Sequence, residues 1–200
     1  MVEEAKKPVR RGRGRRPAAQ VREEVLEAAG AMLFDAGLAG ITFEKVAARA
    51  GASKMTLYKW WSSPGALAFE AYFSAVESTL AFPDTGDVER DLTAQLHAFV
   101  GLLTDPRTGP AIAQLIGAAQ ADPALAEALA THYTHPRRRL AVERLTRAQA
   151  LGQIHADVDP QVVVDQLWGA CYHRLLLPDE TLDAAFADAL IRNLVRGIRS

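Results

Sequence analysis

Apolar residues recur at three- and four-residue spacing along most of this chain, and no stretch sustains the alternation of a strand. Val21, Val25, Leu26, Ala29, Met32 and Leu33 predict a helix over residues 18–37, ended by Gly37 and Gly40. Val46, Ala47 and Ala50 line one face of a short second helix that Thr42 can cap, with Ile41 and Phe43 filling the space beneath it. Gly51 stands where the chain must turn sharply, because Gly takes a left-handed conformation at no steric cost. Ser53 caps a third helix. Its Leu57 points back toward Ala47, a residue small enough to let the two helices cross closely. Lys54, Met55, Thr56, Tyr58 and Lys59 are left facing outward, a set suited to phosphates and base edges. The same spacing also fits an ordinary helical hairpin with a solvated face.

The helical pattern continues to the end. Ser63 as a cap and Pro64 at the first helical position start a fourth helix that runs to about Leu80. Further helices are predicted over residues 88–104 and 110–120, separated by the breaker at 105–109. Asp122 and Pro123 open a longer helix, punctuated by Pro136 and ending near Gly152. Two last helices, 160–177 and 181–198, are joined by a three-residue turn. Both are apolar over a wide arc, so this terminal hairpin needs cover on more than one side. Pairing with its copy in a second chain would make a four-helix bundle, with Leu167, Leu175, Phe186, Leu190 and Leu194 at the interface. That bundle would hold two heads about one turn of DNA, or a multiple, apart. A core hairpin within one monomer carries the same pattern.

Charge sharpens this picture. Residues 1–62 carry a net charge of +5 and residues 63–200 a net of −6, hidden in an overall −1. A basic head on an acidic body is the footprint of nucleic-acid binding. Residues 10–17 hold five Arg and two Gly, a segment that cannot bury a core and is expected to be disordered when free. Arg13, Arg15 and Arg16 suit a narrow minor groove, where negative potential is focused; a solubilising tail would have the same composition. No run of about 18 uncharged apolar residues predicts a membrane span, and the charged N-terminus lacks a secretory signal, so a cytoplasmic protein is expected. Cys171, the single cysteine, cannot form an internal disulfide.

Catalytic signatures are missing from the sequence: no phosphate-binding Gly-rich loop, nucleophile elbow or paired-Cys spacing occurs, so no enzyme and no cofactor is expected. His132 and His135 have metal-compatible spacing, but no Asp or Glu completes a local site and Pro136 follows directly, so no metal is expected. Phe99, Tyr133, Trp168 and Tyr172 could line a pocket for an apolar or aromatic ligand, or pack a core.

Three stretches carry a family resemblance: Phe34-Asp-Ala-Gly37; Thr42-Phe-Glu-Lys-Val-Ala-Ala-Arg-Ala-Gly-Ala-Ser53; and Thr56-Leu-Tyr-Lys-Trp-Trp61 followed by Leu67. Residues 19–72 thereby resemble the TetR family of transcriptional regulators. Asp122-Pro-Ala-Leu125, Pro136-Arg-Arg138, Gly152, Asp157-Val-Asp-Pro160 and Tyr172-His-Arg-Leu-Leu176 make the remainder similar to one type of TetR ligand-binding domain. The resemblance implies an all-α homodimer in which residues 1–17 are a basic arm, 18–62 a helix-turn-helix head, and 63–200 a ligand-binding and dimerisation domain. It implies binding to a near-palindromic double-stranded operator and release of DNA by a small-molecule effector. By the family pattern Thr42 contacts phosphate, Lys54, Met55 and Thr56 face base edges, Tyr58 and Lys59 lie at the backbone with Trp60 nearby, and Trp61 packs. The family usually has Lys where this chain has Pro64, which removes a charge and an N–H from the start of the fourth helix. The amides of Gly65 and Ala66 are expected to face a phosphate in its place. The alternative is a helical small-molecule-binding protein whose head no longer reads DNA.

Overall fold

The computed structural model describes residues 16–177 and 179–198. It is all-α. The helices are α1 (Ala18–Ala36), α2 (Phe43–Ala50), α3 (Lys54–Trp60), α4 (Pro64–Val76), α5 (Val88–Thr104), α6 (Thr108–Ala119), α7 (Pro123–Leu129), α8 (His135–Ala150), α9 (Pro160–Leu176) and α10 (Ala184–Ile198). A π-helical turn, Ala130–Thr134, joins α7 to α8 without a break, so nine continuous helices occur among the described residues. Pro136 explains that turn. It has no N–H for the helical ladder and its ring crowds the preceding turn. The wider i→i+5 winding, closed by the His135 amide on the Ala130 carbonyl, absorbs the disruption just before it.

Side-chain caps fix most helix starts. Thr42, Ser53, Ser63, Asp87, Asp122 and Asp159 each accept a backbone N–H from the first turn of α2, α3, α4, α5, α7 and α9. Two boundaries differ from the sequence expectation for the same reason. Asp105 accepts the amides of Arg107 and Thr108, each at 2.9 Å, so α6 starts at Thr108, before Pro110. Asp183 accepts the Phe186 amide at 2.8 Å, so α10 starts at Ala184, and the connection from α9 is longer than three residues.

The core is continuous from head to body. α1 lies along α4, α7 is wedged between α4 and α6, and α8 packs on α9. The expected terminal hairpin is corrected here. α10 lies mainly along α5, because Ala187, Ile191, Val195 and Ile198 recur every three or four residues and are buried. His97 on α5 and Asp188 on α10 meet at 2.6 Å on the same seam. Leu167, expected at a chain–chain interface, is 3% exposed inside this chain's own core.

Two polar joints tie the head to the body, and a third contact holds α4 against α7 within the body. The Leu38 amide donates to Gln114 Oε1 on α6 at 2.8 Å, and Arg107 pairs with Asp35 at 3.0 Å. The third is a close approach: a Cβ on Gly65 would lie 2.6 Å from Leu125 Cδ2. Gly65→Ala is therefore expected to destabilise by about 1–3 kcal/mol through overpacking. Leu125→Ala costs about 2–5 kcal/mol by itself, and combined with Gly65→Ala the loss should fall short of the sum of the two single losses; thermal melts of the two single variants and the double variant check it.

Candidate nucleic-acid interface

Leu57 is the one buried side chain of α3, and it seats that seven-residue helix over Val46 and Ala47. The crossing needs Gly51 in the left-handed region, φ 60°, with the Ala52 amide closing on the Ala47 carbonyl at 3.0 Å. Opposite Leu57, Met55 is 77% and Tyr58 58% exposed, and Lys54 and Lys59 are exposed beside them. The Tyr58 ring is steadied edge-on against Phe43, centroids 4.7 Å apart, which directs an amphipathic side chain outward at little further cost in entropy. Trp61 anchors the other end of α3. It is buried, donates its indole N–H to Glu70 at 2.8 Å, and lies under Arg22, which itself pairs with Glu70 at 2.5 Å.

Several expected contacts are already engaged within the chain. Thr42 Oγ1 accepts the Lys45 amide at 3.3 Å as the cap of α2. The Thr56 hydroxyl is 2.8 Å from Ser53 Oγ, so it turns toward its own cap and is half-buried. Lys54 Nζ sits 3.0 Å from Glu44 Oε1, and this bond, with the Lys54 charge, holds the Glu44 carboxyl below its ordinary value. Trp60 is half-buried, with its ring edge-on to Trp61. Arg16 is not a free arm residue: it pairs with Glu24 and donates to the Gly51 carbonyl at 2.5 Å, clasping the turn between α2 and α3. Arg13 and Arg15 lie outside the described residues. At α4, the Ala66 amide expected to face phosphate is bonded to Ser63 Oγ at 3.1 Å, which leaves the Gly65 amide as the candidate there.

In the body, the four residues suggested as ligand lining do converge. Phe99 meets Trp168 at 6.3 Å and Tyr172 at 5.3 Å between ring centroids, and Tyr172 and Tyr133 share a 3.1 Å hydrogen bond. Sequence reasoning missed their centre. Arg137 stands in a run of three Arg with no sign of burial in the sequence, yet its guanidinium lies 5.3, 4.9 and 5.1 Å from the rings of Phe99, Tyr133 and Trp168. Sequence reading also missed Arg144, buried on α8 and joined to the fully buried Asp91 of α5 at 2.6 Å. Cys171 is buried, and burial pushes its thiol up to about 12 against the pull of Arg174, so it is an inert packing group. Among the described residues no group of three His, Cys, Asp or Glu side chains converges, and no helix is long and apolar enough to cross a membrane.

A small outward-facing helix held by a capped turn, on a larger helical body, is the arrangement found in several known proteins. The family model for the tetracycline repressor-like C-terminal domain matches residues 82–194. The chain belongs to the TetR family of DNA-binding transcriptional regulators. It is 32% identical over 188 residues, 94% of each chain, to YdeS of Bacillus subtilis, described as an uncharacterized HTH-type transcriptional regulator. It is 30% identical over 158 residues to the HTH-type transcriptional regulator AqdR of Rhodococcus erythropolis, covering 76% of this chain and 72% of that one. Among solved structures, the TetR-family regulator SCO0332 superposes with a TM-score of 0.83 at 57% identity, covering 90% of this chain and 100% of that one.

Proposed function

We propose that this TetR-family chain is a dimeric repressor that reads a near-palindromic operator through α3 and leaves it when a small molecule binds the body. Residues 18–62 are the reading head in this proposal and residues 63–200 the effector and dimerisation body. The observation that carries it is the outward face of α3, where Lys54, Met55, Tyr58 and Lys59 stand exposed on a helix whose opposite face is locked by Leu57. Such a face gives phosphate contacts for register and side chains for base edges. A dimer is supported by apolar surface on α9 and α10: Val162 and Leu176 are exposed and Leu175, Phe186, Leu190 and Leu194 half-buried within one chain. Effector release then acts by population shift between head spacings, since only a ligand with different affinity for the two states moves the equilibrium.

The test is a gel shift with the DNA upstream of the chain's own gene. Tyr58→Ala is expected to weaken operator binding by about 1–3 kcal/mol, with an unchanged melting temperature. Equal operator affinity in that variant sinks the recognition-helix assignment. The second reading, a small-molecule-binding protein whose head does not read DNA, draws on one observation: Pro64 and the Ser63–Ala66 bond remove two phosphate anchors from α4. Failure of the wild-type protein to shift that DNA at low salt, where phosphate contacts are strongest, favours it.

A further inference from the structure

Arg137 has no carboxylate partner among the described residues; its ion-pair needs are met by rings alone. Its Nη1 donates to the Tyr133 hydroxyl at 2.8 Å, while its Nη2 is buried without any hydrogen-bond partner. A second orphan is the Tyr72 hydroxyl, buried and unpartnered on a side chain 0% exposed and near enough to feel the Arg137 charge. Burial, with Tyr133 close by, holds the Tyr72 phenol far above its ordinary value, while the Arg137 charge pulls the other way. Burial does the same to Tyr172. Both phenols are neutral hydroxyls at any physiological pH; Tyr172 donates its proton to Tyr133, and Tyr72 keeps its own as an unpartnered donor. Two unpartnered donors and one uncompensated cation in an apolar box are costly to bury, and each is satisfied by the same thing, an anionic acceptor. The rings around them supply stacking surfaces. The box also touches the π-helical turn of the body, since Tyr133 lies inside that turn and Arg137 one turn beyond it. Such turns mark functional positions more often than chance.

We infer that the effector of this regulator is an anionic aromatic compound, a carboxylic acid in the simplest case, that replaces the ring contacts of Arg137 with a charge-assisted pair and takes a further hydrogen bond from Tyr72. This rests on reading the body as the effector site and adds to it the ligand's charge and the residue that recognises it. A bidentate guanidinium–carboxylate pair suits Arg and not Lys.

The experiment is isothermal titration of the full-length protein with 1-naphthoate, benzoate and 4-hydroxycinnamate, each paired with its primary amide. The acids are expected to bind at least tenfold more tightly than their amides. Arg137→Gln should abolish that difference and Arg137→Lys should restore only part of it. Tyr72→Phe, which deletes one unpartnered oxygen and keeps the ring, should lower acid affinity several-fold with amide affinity unchanged, so the inference stays testable where Arg137→Gln fails to fold. Acids and amides that bind equally, or that all fail to bind, overturn it and make Arg137 a packing residue. The gel shift without ligand is read separately. Loss of operator binding with the acid preference intact counts against the DNA reading alone, and the reverse result counts against this inference alone.

Discussion

Arg144→Met is expected to lower the melting temperature by roughly 6–20 °C at pH 7. Arg144 Nη2 and Nε lie 2.6 and 2.8 Å from Asp91 Oδ2, and both side chains are within the core. Asp91 also accepts the Thr85 hydroxyl at 2.7 Å and the Thr85 amide at 3.1 Å, so it ties the loop before α5 to α8. Removing one partner of a buried pair leaves the other charge uncompensated, which costs about 3–5 kcal/mol, and each kcal/mol is worth about 2–4 °C in a chain of this size. The pH dependence has a definite sign. Burial, the largest single influence on Asp91, works against its charge, but the bonds from Thr85 and Arg144 together hold the carboxyl below its ordinary value. A carboxyl lowered in the folded state stabilises fully above its unfolded value, about 3.9, and loses that contribution as pH falls through the lowered one. The gap between wild type and Arg144→Met should therefore be full at pH 7 and narrow in strong acid. Asp91→Leu combined with Arg144→Met should recover much of the loss, because two well-packed apolar groups replace a pair that was expensive to desolvate. Circular-dichroism melts of wild type, Arg144→Met and the double variant at pH 7 and pH 3 check this, and equal melting temperatures of wild type and Arg144→Met at pH 7 would show that the pair does not hold the body.

The second large effect is local. Leu57→Ala is expected to cost about 2–5 kcal/mol and to weaken operator binding by more than tenfold. Seven residues cannot sustain a helix by propensity alone, and Leu57 is the one side chain of α3 that buries against the rest of the head. The helical signal should stay near that of the wild type, because α4–α10 do not depend on this contact. Comparison with Tyr58→Ala separates support from recognition. Both variants should lose operator affinity, but a lowered melting temperature should accompany Leu57→Ala alone. A gel shift and a melt on each variant decide it.

The head was legible in the sequence because local rules determine it. Thr42, Ser53 and Ser63 cap, Gly51 turns, and Ala47 and Leu57 meet, all within about twenty residues, where spacing specifies contact. The body was legible as helices but not as a packing arrangement. α10 carries an apolar stripe that fits α9 or α5 equally well by periodicity, and long-range packing chose α5. Phe99, Tyr133, Trp168 and Tyr172 could be picked out by type and now stand together, although α5, the π-turn and α9 lie far apart in the chain. Arg137 and Arg144 were hidden for a plain reason. In a run of charges, exposed and buried arginines look alike until the partners across the fold are known. Arg16 was hidden likewise, since the Glu24 and Gly51 positions that hold it are distant in sequence.

The π-turn bears on more than Pro136. Leu125, which fills the space left by Gly65 on α4, and Arg137, at the centre of the aromatic box, are twelve residues apart. In an unbroken α-helix that separation leaves them about 120° apart around the axis. One extra residue in the winding takes back about 100°. The turn is thus a phase corrector that brings the contact with α4 and the half-buried Arg137 onto nearly the same side of one rod. A small roll of that rod about its own axis would be felt at both places in the same sense, one at the start of α4 just after α3 and the other among the rings around Arg137.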